Sequence, residues 1–270
     1  MADDNLYAPP TADLNRPADD EDFAITGPHV RSAGDGARWL TQAFAFFRDG
    51  WLQWLAATVI LLVIYVVVQL IPFIGAIAMM FLGPVFSGGL MIGARAQEQG
   101  EDFQVGHLFA GFSTNSGGLL TLGALYLALQ IVAWAVGLGI MFLFMGSAGM
   151  FGAMVSGDPG AAAAVSPLAA TLGVLVIMAV LIPTAAAIWL APPLVALHGM
   201  PALQAMKMSL VGCLKNILAF LIYGLLGLVL AVLATLPLML GWLILVPVII
   251  ISVYTAYRDI FSDTPATLGR

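Results

Sequence analysis

Four long runs of the chain carry no Asp, Glu, Lys or Arg, and this pattern restricts the fold more than any other feature. The runs cover residues 50–94, 103–157, 159–206 and 216–257, so all nine Lys and Arg residues lie outside them. Apolar residues make up 61% of the chain and charged residues only 9%, which is too little charge for the surface of a soluble protein of this length. A helix of about 18 mostly apolar residues can cross the hydrocarbon core of a membrane. Each run is about twice that length or more, so each predicts more than a single simple crossing.

The charges that flank these runs predict how often the chain crosses and in which direction. Runs 50–94 and 216–257 each begin and end beside a Lys or Arg. Because cations collect on the cytoplasmic side of a membrane, each of these runs should cross twice. Asp158 lies in the long cation-free stretch between them and marks an outside loop between two further crossings. We therefore expect six crossings, with the N- and C-termini both in the cytoplasm.

The expected fold is all-α: a polytopic membrane helix bundle in which six transmembrane helices form three hairpins. The expected spans are Trp51–Ile71, Gly75–Ala94, Leu119–Phe144, Ala169–Leu190, Ile217–Leu236 and Leu240–Ala256. Proline and glycine between the first two spans, and again between the last two, favour tight turns there. A helical bundle is expected because backbone exposed to lipid must satisfy its hydrogen bonds internally.

The two ends of the chain differ in composition from the bundle. We assign the six-span domain to residues 35–258, a disordered acidic cytoplasmic tail to residues 1–34, and a short cytoplasmic tail to residues 259–270. Residues 1–22 contain seven acids and one Arg, so they carry the whole net charge of −6. Few large apolar residues and many Asp and Pro residues are typical of disorder. Such a tail is a solvated chain end or, alternatively, a binding segment for a basic partner.

An amphipathic stretch precedes each pair of spans and gives the chain an internal repeat. The stretches are Asp35–Arg48, Asp102–Phe112 and Pro201–Asn216. Their apolar residues recur at helical spacing. These stripes consist of Leu40, Ala43, Phe44, Phe47 and Trp51, of Val105, Leu108, Phe109 and Phe112, and of Leu203, Met206, Leu210 and Leu214. We expect each stretch to be an interfacial helix with its stripe towards the membrane, so that three parallel units compose the fold. An ordinary loop helix at the cytoplasmic face is the alternative.

Two groups of residues resemble patterns known from membrane proteins. The first is Leu70-Ile71-Pro72-Phe73-Ile74-Gly75 with Gly83-Pro84, Gly89, Gly93 and Leu108-Phe109-Ala110-Gly111-Phe112. The second is Leu190-Ala191-Pro192-Pro193-Leu194-Val195 with Ala202-Leu203, Ser209 and Asn216. Over about residues 35–257 the chain resembles an uncharacterised proteobacterial family of six-span inner-membrane proteins. It is also similar in pattern to membrane domains fused to some glycerophosphodiester phosphodiesterases. The resemblance implies a bacterial inner-membrane location and brings no catalytic residue with it.

Few polar side chains lie inside the expected spans. The candidates are Gln130, Thr184, Thr121 and Thr58. Hydrogen bonding between helices is the usual role of such residues, and contact with a substrate is the alternative. No ionisable side chain lies well inside a span, which argues against proton-driven transport.

Gly89 and Gly93 form a small-xxx-small pair on the second span. Small residues allow two helices to approach closely. We expect this pair to pack within the bundle, with a homodimer contact as the alternative.

The sequence offers no residues typical of a catalytic, cofactor or metal site. Its single cysteine, Cys213, cannot form an intrachain disulfide, and its three histidines are far apart in sequence. Phosphate-loop and dinucleotide-binding motifs are absent. Without a basic patch, the chain is not expected to bind nucleic acid.

We therefore expect an integral inner-membrane protein that is not an enzyme and needs no cofactor. Its predicted role is a scaffold, lipid-interacting or accessory component, with membrane lipids, another membrane protein or a second copy of itself as partners. The alternative is a transporter or channel for an apolar or amphipathic solute. A membrane-embedded lipid enzyme would need clustered polar residues. A cavity that reaches Gln130 and Thr184 would favour transport, and a filled bundle centre would favour the scaffold.

Overall fold

A computed structural model describes residues 24–145, 155–157 and 167–268, and the described residues form helices and connecting loops without a β-strand. The expected outside loop around Asp158 and the acidic residues 1–22 lie outside the described residues. The helices are α1 Asp35–Asp49, α2 Trp51–Gln69, α3 Ile74–Glu98, the 3₁₀ helix η1 Val105–Phe109, α4 Gly111–Thr114, α5 Ser116–Met145, α6 Pro167–Trp189, α7 Ala191–His198, α8 Ala202–Lys215, α9 Ile217–Thr235 and α10 Trp242–Phe261.

Within the part of the chain that the structure describes, six helical segments are long and apolar enough to cross a membrane, as the charge-free runs predicted. They are Trp51–Gln69, Ile74–Glu98, Ser116–Gly139, Val174–His198, Ile217–Thr235 and Trp242–Phe261. The fourth segment joins α6 to α7 across Leu190, which departs from helical geometry. At a rise of about 1.5 Å per residue, the 19-residue helix α2 is about 28 Å long, close to the thickness of a hydrocarbon core. For the described residues, the prediction of an all-helical fold with six candidate membrane-spanning helices is confirmed.

The turn between α2 and α3 and the turn between α9 and α10 are tight and apolar. Three non-glycine residues in them adopt positive φ angles: Phe73 at 63°, Leu238 at 52° and Met239 at 66°. Phe73 is 86% and Leu238 is 90% exposed, so their side chains point away from the bundle. Large apolar side chains at such tips are suited to lipid. We call this side of the bundle the turn end.

The short helices pack on spans other than the one they lead into. α1 lies against α9 and α10, η1 and α4 lie against α3, and α8 lies against α6 and α7. Glycines allow two of these close approaches. A Cβ atom on Gly36 would lie 2.0 Å from the Ala219 carbonyl oxygen, and one on Gly111 would lie 2.1 Å from that of Val85.

The apolar stripes of the short helices were expected to face the membrane, but they are divided between the inside of the bundle and its outer surface. Leu40, Ala43 and Phe47 of the α1 stripe are buried. In α1, Trp39 and Phe46 are buried although the stripe omitted them, whereas Phe44 in the stripe is half exposed. In α8, Leu203 and Leu214 are exposed. The inner face of that helix is composed of Ala202, Ala205, Met206, Ser209, Gly212 and Cys213. In α8, tight packing of small residues, rather than burial of the most apolar ones, therefore forms the inner face, because lipid is as apolar as leucine. In α1 the inner face carries large aromatic side chains.

The packed unit extends beyond the expected boundaries at residues 35 and 258. The Thr26 backbone N–H donates to the carbonyl oxygen of Phe261 at 3.1 Å, and that of His29 donates to Ile260 at 2.8 Å. Asp259 and Ala266 are almost fully buried. Residues 24–34 and 259–268 are therefore part of the bundle, because they supply hydrogen-bond partners that composition alone does not reveal.

Candidate functional site

Two adjoining cavities lie between the spans. The first has a volume of about 490 Å³ and lies between α2, α3 and α10. The second, of about 500 Å³, extends from α3 towards α5, α6 and α7. The residues that line both are Tyr65, Met79, Gly83, Ser87 and Ile250. Both volumes fall within the range of about 300–1,000 Å³ that is typical of ligand sites.

The first cavity opens sideways between α2 and α10. Leu62 and Leu243 at its rim are 53% and 38% exposed, and in a membrane both would face hydrocarbon. Trp242 lines the same cavity at the start of α10, near the turn end. A molecule dissolved in the bilayer can therefore reach this cavity without passing through water.

Gly83 leaves the wall of both cavities open. A Cβ atom at this position would have no neighbouring heavy atom within 4 Å. Many other glycines of the bundle lie against backbone or side chains, as Gly89 does. A larger side chain at position 83 would project into the cavities without forcing the helices apart.

Polar residues close the bundle below the cavities. On α10, Ile250 and Val253 line the second cavity, and Tyr254 and Tyr257 follow each of them by four residues, on the same helix faces. Both tyrosines are almost fully buried. They lie at the end of the bundle that also carries Arg31, Arg38, Arg95 and Arg258, which we call the arginine end. The cavities thus lead towards a polar floor.

Glu98, the last residue of α3, is the centre of the first part of this floor. The Arg258 guanidinium donates to its two carboxylate oxygens at 3.0–3.2 Å, and the Tyr254 hydroxyl also donates to it. The side chains of Arg258 and Glu98 are 7% and 10% exposed. His198, from α7, forms a hydrogen bond with Tyr257. The floor therefore joins the ends of α3, α7 and α10 through partnered polar groups.

Asp259 is the centre of the second part, between α1 and α10. Its carboxylate accepts hydrogen bonds from Arg38 at 2.9 and 3.0 Å and from the Trp39 indole N–H at 2.8 Å. The Arg31 guanidinium lies 3.4 Å from it and also donates to the Asp259 carbonyl oxygen at 2.7 Å. The Arg31 backbone N–H donates to the Asn216 side chain at 2.6 Å. This cluster attaches residues 24–34 to α10 and to the start of α9.

The structure brings Gln130 and Thr184 together, but neither lines the two cavities. The Thr184 hydroxyl lies 3.4 Å from the Gln130 side-chain oxygen and 2.8 Å from the carbonyl oxygen of Leu181, which is the closer acceptor. The hydroxyls of Thr58 and Thr121 donate to the carbonyl oxygens of Trp54 and Gly117, four residues earlier in each case. Thr58 lies at the edge of the first cavity, and Thr121 lies outside both.

Gly89 and Gly93 lie against η1 and α4. A Cβ atom on Gly89 would lie 2.5 Å from the His107 carbonyl oxygen, and one on Gly93 would lie 2.5 Å from the Phe103 ring. The pair is thus used for packing within the bundle, and this face is not available for a second copy of the chain.

The titratable groups of the loops and short helices are held in structural contacts. Burial lowers the pKa of His107, although Glu101 opposes that shift, and the His107 Nδ1 accepts the Gln104 backbone N–H at 3.1 Å. Burial raises the pKa of Cys213 to about 12, with an opposing contribution from a hydrogen bond with Ser209. Within the described ranges, no three His, Cys, Asp or Glu side chains lie close enough to share a metal ion.

Sequence reasoning missed the residues that compose the floor and the two tyrosines, Tyr65 and Tyr126, that line the second cavity. Arg258 and Asp259 were assigned to an end and a tail because they follow the last apolar run, yet α10 continues to Phe261. Tyr65 and Tyr126 sit in apolar surroundings where no sequence pattern distinguishes cavity lining from lipid contact. One signal was present: the charged pair Arg258-Asp259 directly follows Tyr257, with Tyr254 one turn earlier.

Comparison with known proteins adds one relative of clear similarity. The chain is 32% identical, over 207 residues, to a probable inner membrane protein of Burkholderia thailandensis, and the match covers 74% of each chain. The protein belongs to the family of this inner membrane protein. It is therefore a multi-pass protein of the inner membrane, in agreement with its six apolar helices. No family model matches the chain, and no solved structure does.

Proposed function

We propose that this inner membrane protein binds a membrane lipid in its two adjoining cavities and that its role is binding rather than catalysis. The observation that carries the proposal is the apolar first cavity, of about 490 Å³, whose rim faces the bilayer between α2 and α10. Apolar cavities of this size left empty would cost stability, because their walls lose contacts. An acyl chain is the occupant that the surrounding bilayer offers.

The polar floor supports the binding of a lipid over the transport of a solute through the bundle. Glu98, Arg258 and Tyr254 are almost fully buried and satisfy one another, so opening the floor would break several charge-assisted hydrogen bonds. Gln130 and Thr184, whose presence in a cavity would have favoured transport, lie outside the cavities. A lipid-interacting role, as a scaffold or an accessory component, is therefore our leading proposal over a transporter.

We further propose that the bundle consists of three units in cyclic order, each a short helical segment followed by two spans. Each short segment packs on the second span of the preceding unit, and α1, in the first unit, packs on α10 in the third. Three residues connect the short segments to the spans and depart from helical geometry: Gly50, Asn115 and Asn216, with φ angles of −118°, −149° and −119°. This common feature supports a repeated unit. We also keep as a proposal the likeness to membrane domains that are fused to some phosphodiesterases.

We also propose that the arginine end faces the cytoplasm, because cations favour that side. Reporter fusions after residue 268 and near residue 157 test this orientation. Activity of a cytoplasmic reporter at the first site and of a periplasmic reporter at the second supports it. The reverse pattern contradicts it.

Lipid retention after purification tests the binding proposal. Gly83→Phe should fill the cavities, whereas Gly224→Phe, whose Cβ also has no neighbour within 4 Å, places the same side chain on the exposed face of α9. We expect native mass spectrometry to detect one bound lipid on the wild type and on Gly224→Phe, and none on Gly83→Phe. Equal lipid retention by both variants would refute the proposal.

A further inference from the structure

Among the described residues that line the two cavities, most polar side chains belong to the second cavity, which shares Tyr65 and Ser87 with the first. The second cavity carries the hydroxyls of Tyr65, Ser87 and Tyr126 and the amide of Gln69. In the first cavity, the Thr58 hydroxyl is already used, since it donates to the Trp54 carbonyl oxygen at 2.8 Å. A bound molecule would thus meet hydrogen-bonding groups on the α5 side and hydrocarbon on the Trp242 side.

These polar groups retain capacity for a ligand. The Gln69 amide donates to the Tyr65 hydroxyl oxygen at 3.2 Å, which leaves the tyrosine proton and the amide oxygen available. Among the described residues, Ser87 and Tyr126 have no hydrogen-bond partner for their hydroxyl groups. A polar group inside a membrane is costly without a partner, so a ligand that supplies one gains from these contacts.

The lining carries no formal charge. No Asp, Glu, Lys, Arg or His is among the described residues that line either cavity. Ser87 lies near the middle of the 25-residue helix α3, and therefore near the middle of the membrane. A charged group placed there without a partner is strongly unfavourable. Arg258 is paired with Glu98 and Arg38 with Asp259, beyond the buried Tyr254 and Tyr257.

We propose that the cavities select a lipid with an uncharged, hydroxyl-bearing head, of which diacylglycerol is the simplest membrane example. Its hydroxyl and ester oxygens lie among Tyr65, Ser87 and Tyr126, and an acyl chain fills the first cavity towards Trp242. The selection arises because none of the described residues that line the cavities carries a charge that would compensate a phosphate. This inference rests on the proposed lipid-binding function and specifies the class of lipid.

Competition between lipids with identical acyl chains tests the selection. The purified full chain is mixed with equal amounts of diacylglycerol, phosphatidylethanolamine and phosphatidylglycerol, and bound species are counted by native mass spectrometry. We expect diacylglycerol to be bound at least tenfold in excess, and this adduct to disappear in Gly83→Phe but not in Gly224→Phe. If phosphatidylglycerol were bound as well as diacylglycerol and its adduct disappeared in Gly83→Phe, the selection would be refuted and the proposed lipid binding would stand. If the lipid adducts were unchanged in Gly83→Phe, both the selection and the proposed lipid binding would be refuted.

Removal of the hydroxyls provides a second readout. The combined variant Tyr65→Phe, Ser87→Ala and Tyr126→Phe preserves shape but removes three hydrogen-bonding groups. Since each neutral hydrogen bond contributes modestly, we expect the diacylglycerol affinity to fall about tenfold. Thr121→Val, which removes a hydroxyl outside the cavities, should leave it unchanged. An unaltered affinity in the triple variant would overturn the assignment of the head to this region.

Discussion

Replacement of Asp259 by alanine should destabilise the bundle far more than its position in a presumed tail suggests. The carboxylate is 1% exposed and is the acceptor for the Trp39 indole N–H, whose residue has no exposed surface. A buried donor left without an acceptor costs about 1–3 kcal/mol. Arg38, at 43% exposure, can return to water, so its lost ion pair adds about 1 kcal/mol at most. The expected total for Asp259→Ala is about 1–4 kcal/mol.

The measurement is unfolding of the detergent-solubilised protein with increasing sodium dodecyl sulfate, followed by tryptophan fluorescence. Asp263→Ala is the matched control, because Asp263 is 70% exposed and contacts only His29, at 3.3 Å, among the ion pairs of the structure's described residues. We expect its effect to be within about 0.5 kcal/mol. Asp259→Asn, which keeps one acceptor oxygen for Trp39, should fall between the two. If Asp259→Ala were no less stable than Asp263→Ala, the clustered ion pairs would not hold residues 24–34 in place.

Three further predictions concern the short helices. Gly89→Ala should reduce stability by about 1–3 kcal/mol, because its Cβ would meet the His107 carbonyl oxygen at 2.5 Å, whereas Gly224→Ala should not; detergent unfolding compares them. Cys213 should resist maleimide at pH 8 in the folded protein and react readily after unfolding, because a pKa of about 12 leaves almost no thiolate; rapid labelling of the folded chain would contradict this. The lowered pKa of His107 means that folding favours the neutral ring. The stability that depends on the neutral ring is therefore present above the ordinary pKa of 6.5 and is lost as the pH falls below it. Between pH 7 and pH 5, a His107→Gln variant should lose less stability than the wild type.

The sequence was sufficient to predict six spans because a long charge-free run has few alternatives in a membrane. α2 and α9 begin at Trp51 and Ile217, the residues that the charge map indicated. It was not sufficient to predict which face of a short helix packs inward. In α8, Leu203 and Leu214 face outward, because lipid is as apolar as leucine. In α1, the buried Trp39 and Phe46 were not part of the stripe that helical spacing selected.

The candidate site depended on contacts between residues distant in sequence. Asp259 is 221 residues from Arg38, and Glu98 is 160 residues from Arg258, so no local pattern connects them. A cavity is likewise a property of helices that do not fill the space between them. Gly83 was part of the quoted family pattern, but only the structure shows that its missing side chain opens a wall.

Photochemical labelling with a diacylglycerol that carries a diazirine in its acyl chain tests lipid occupancy of the cavities most directly. Irradiation of the wild type in lipid nanodiscs, followed by peptide mass spectrometry, locates each adduct. We predict adducts at Met79 and Ile250, which line both cavities, and their suppression by excess unlabelled diacylglycerol. Adducts at Leu228, on the exposed face of α9, should not be suppressed. Labelling confined to such outer positions, with none at Met79 or Ile250, would contradict the account.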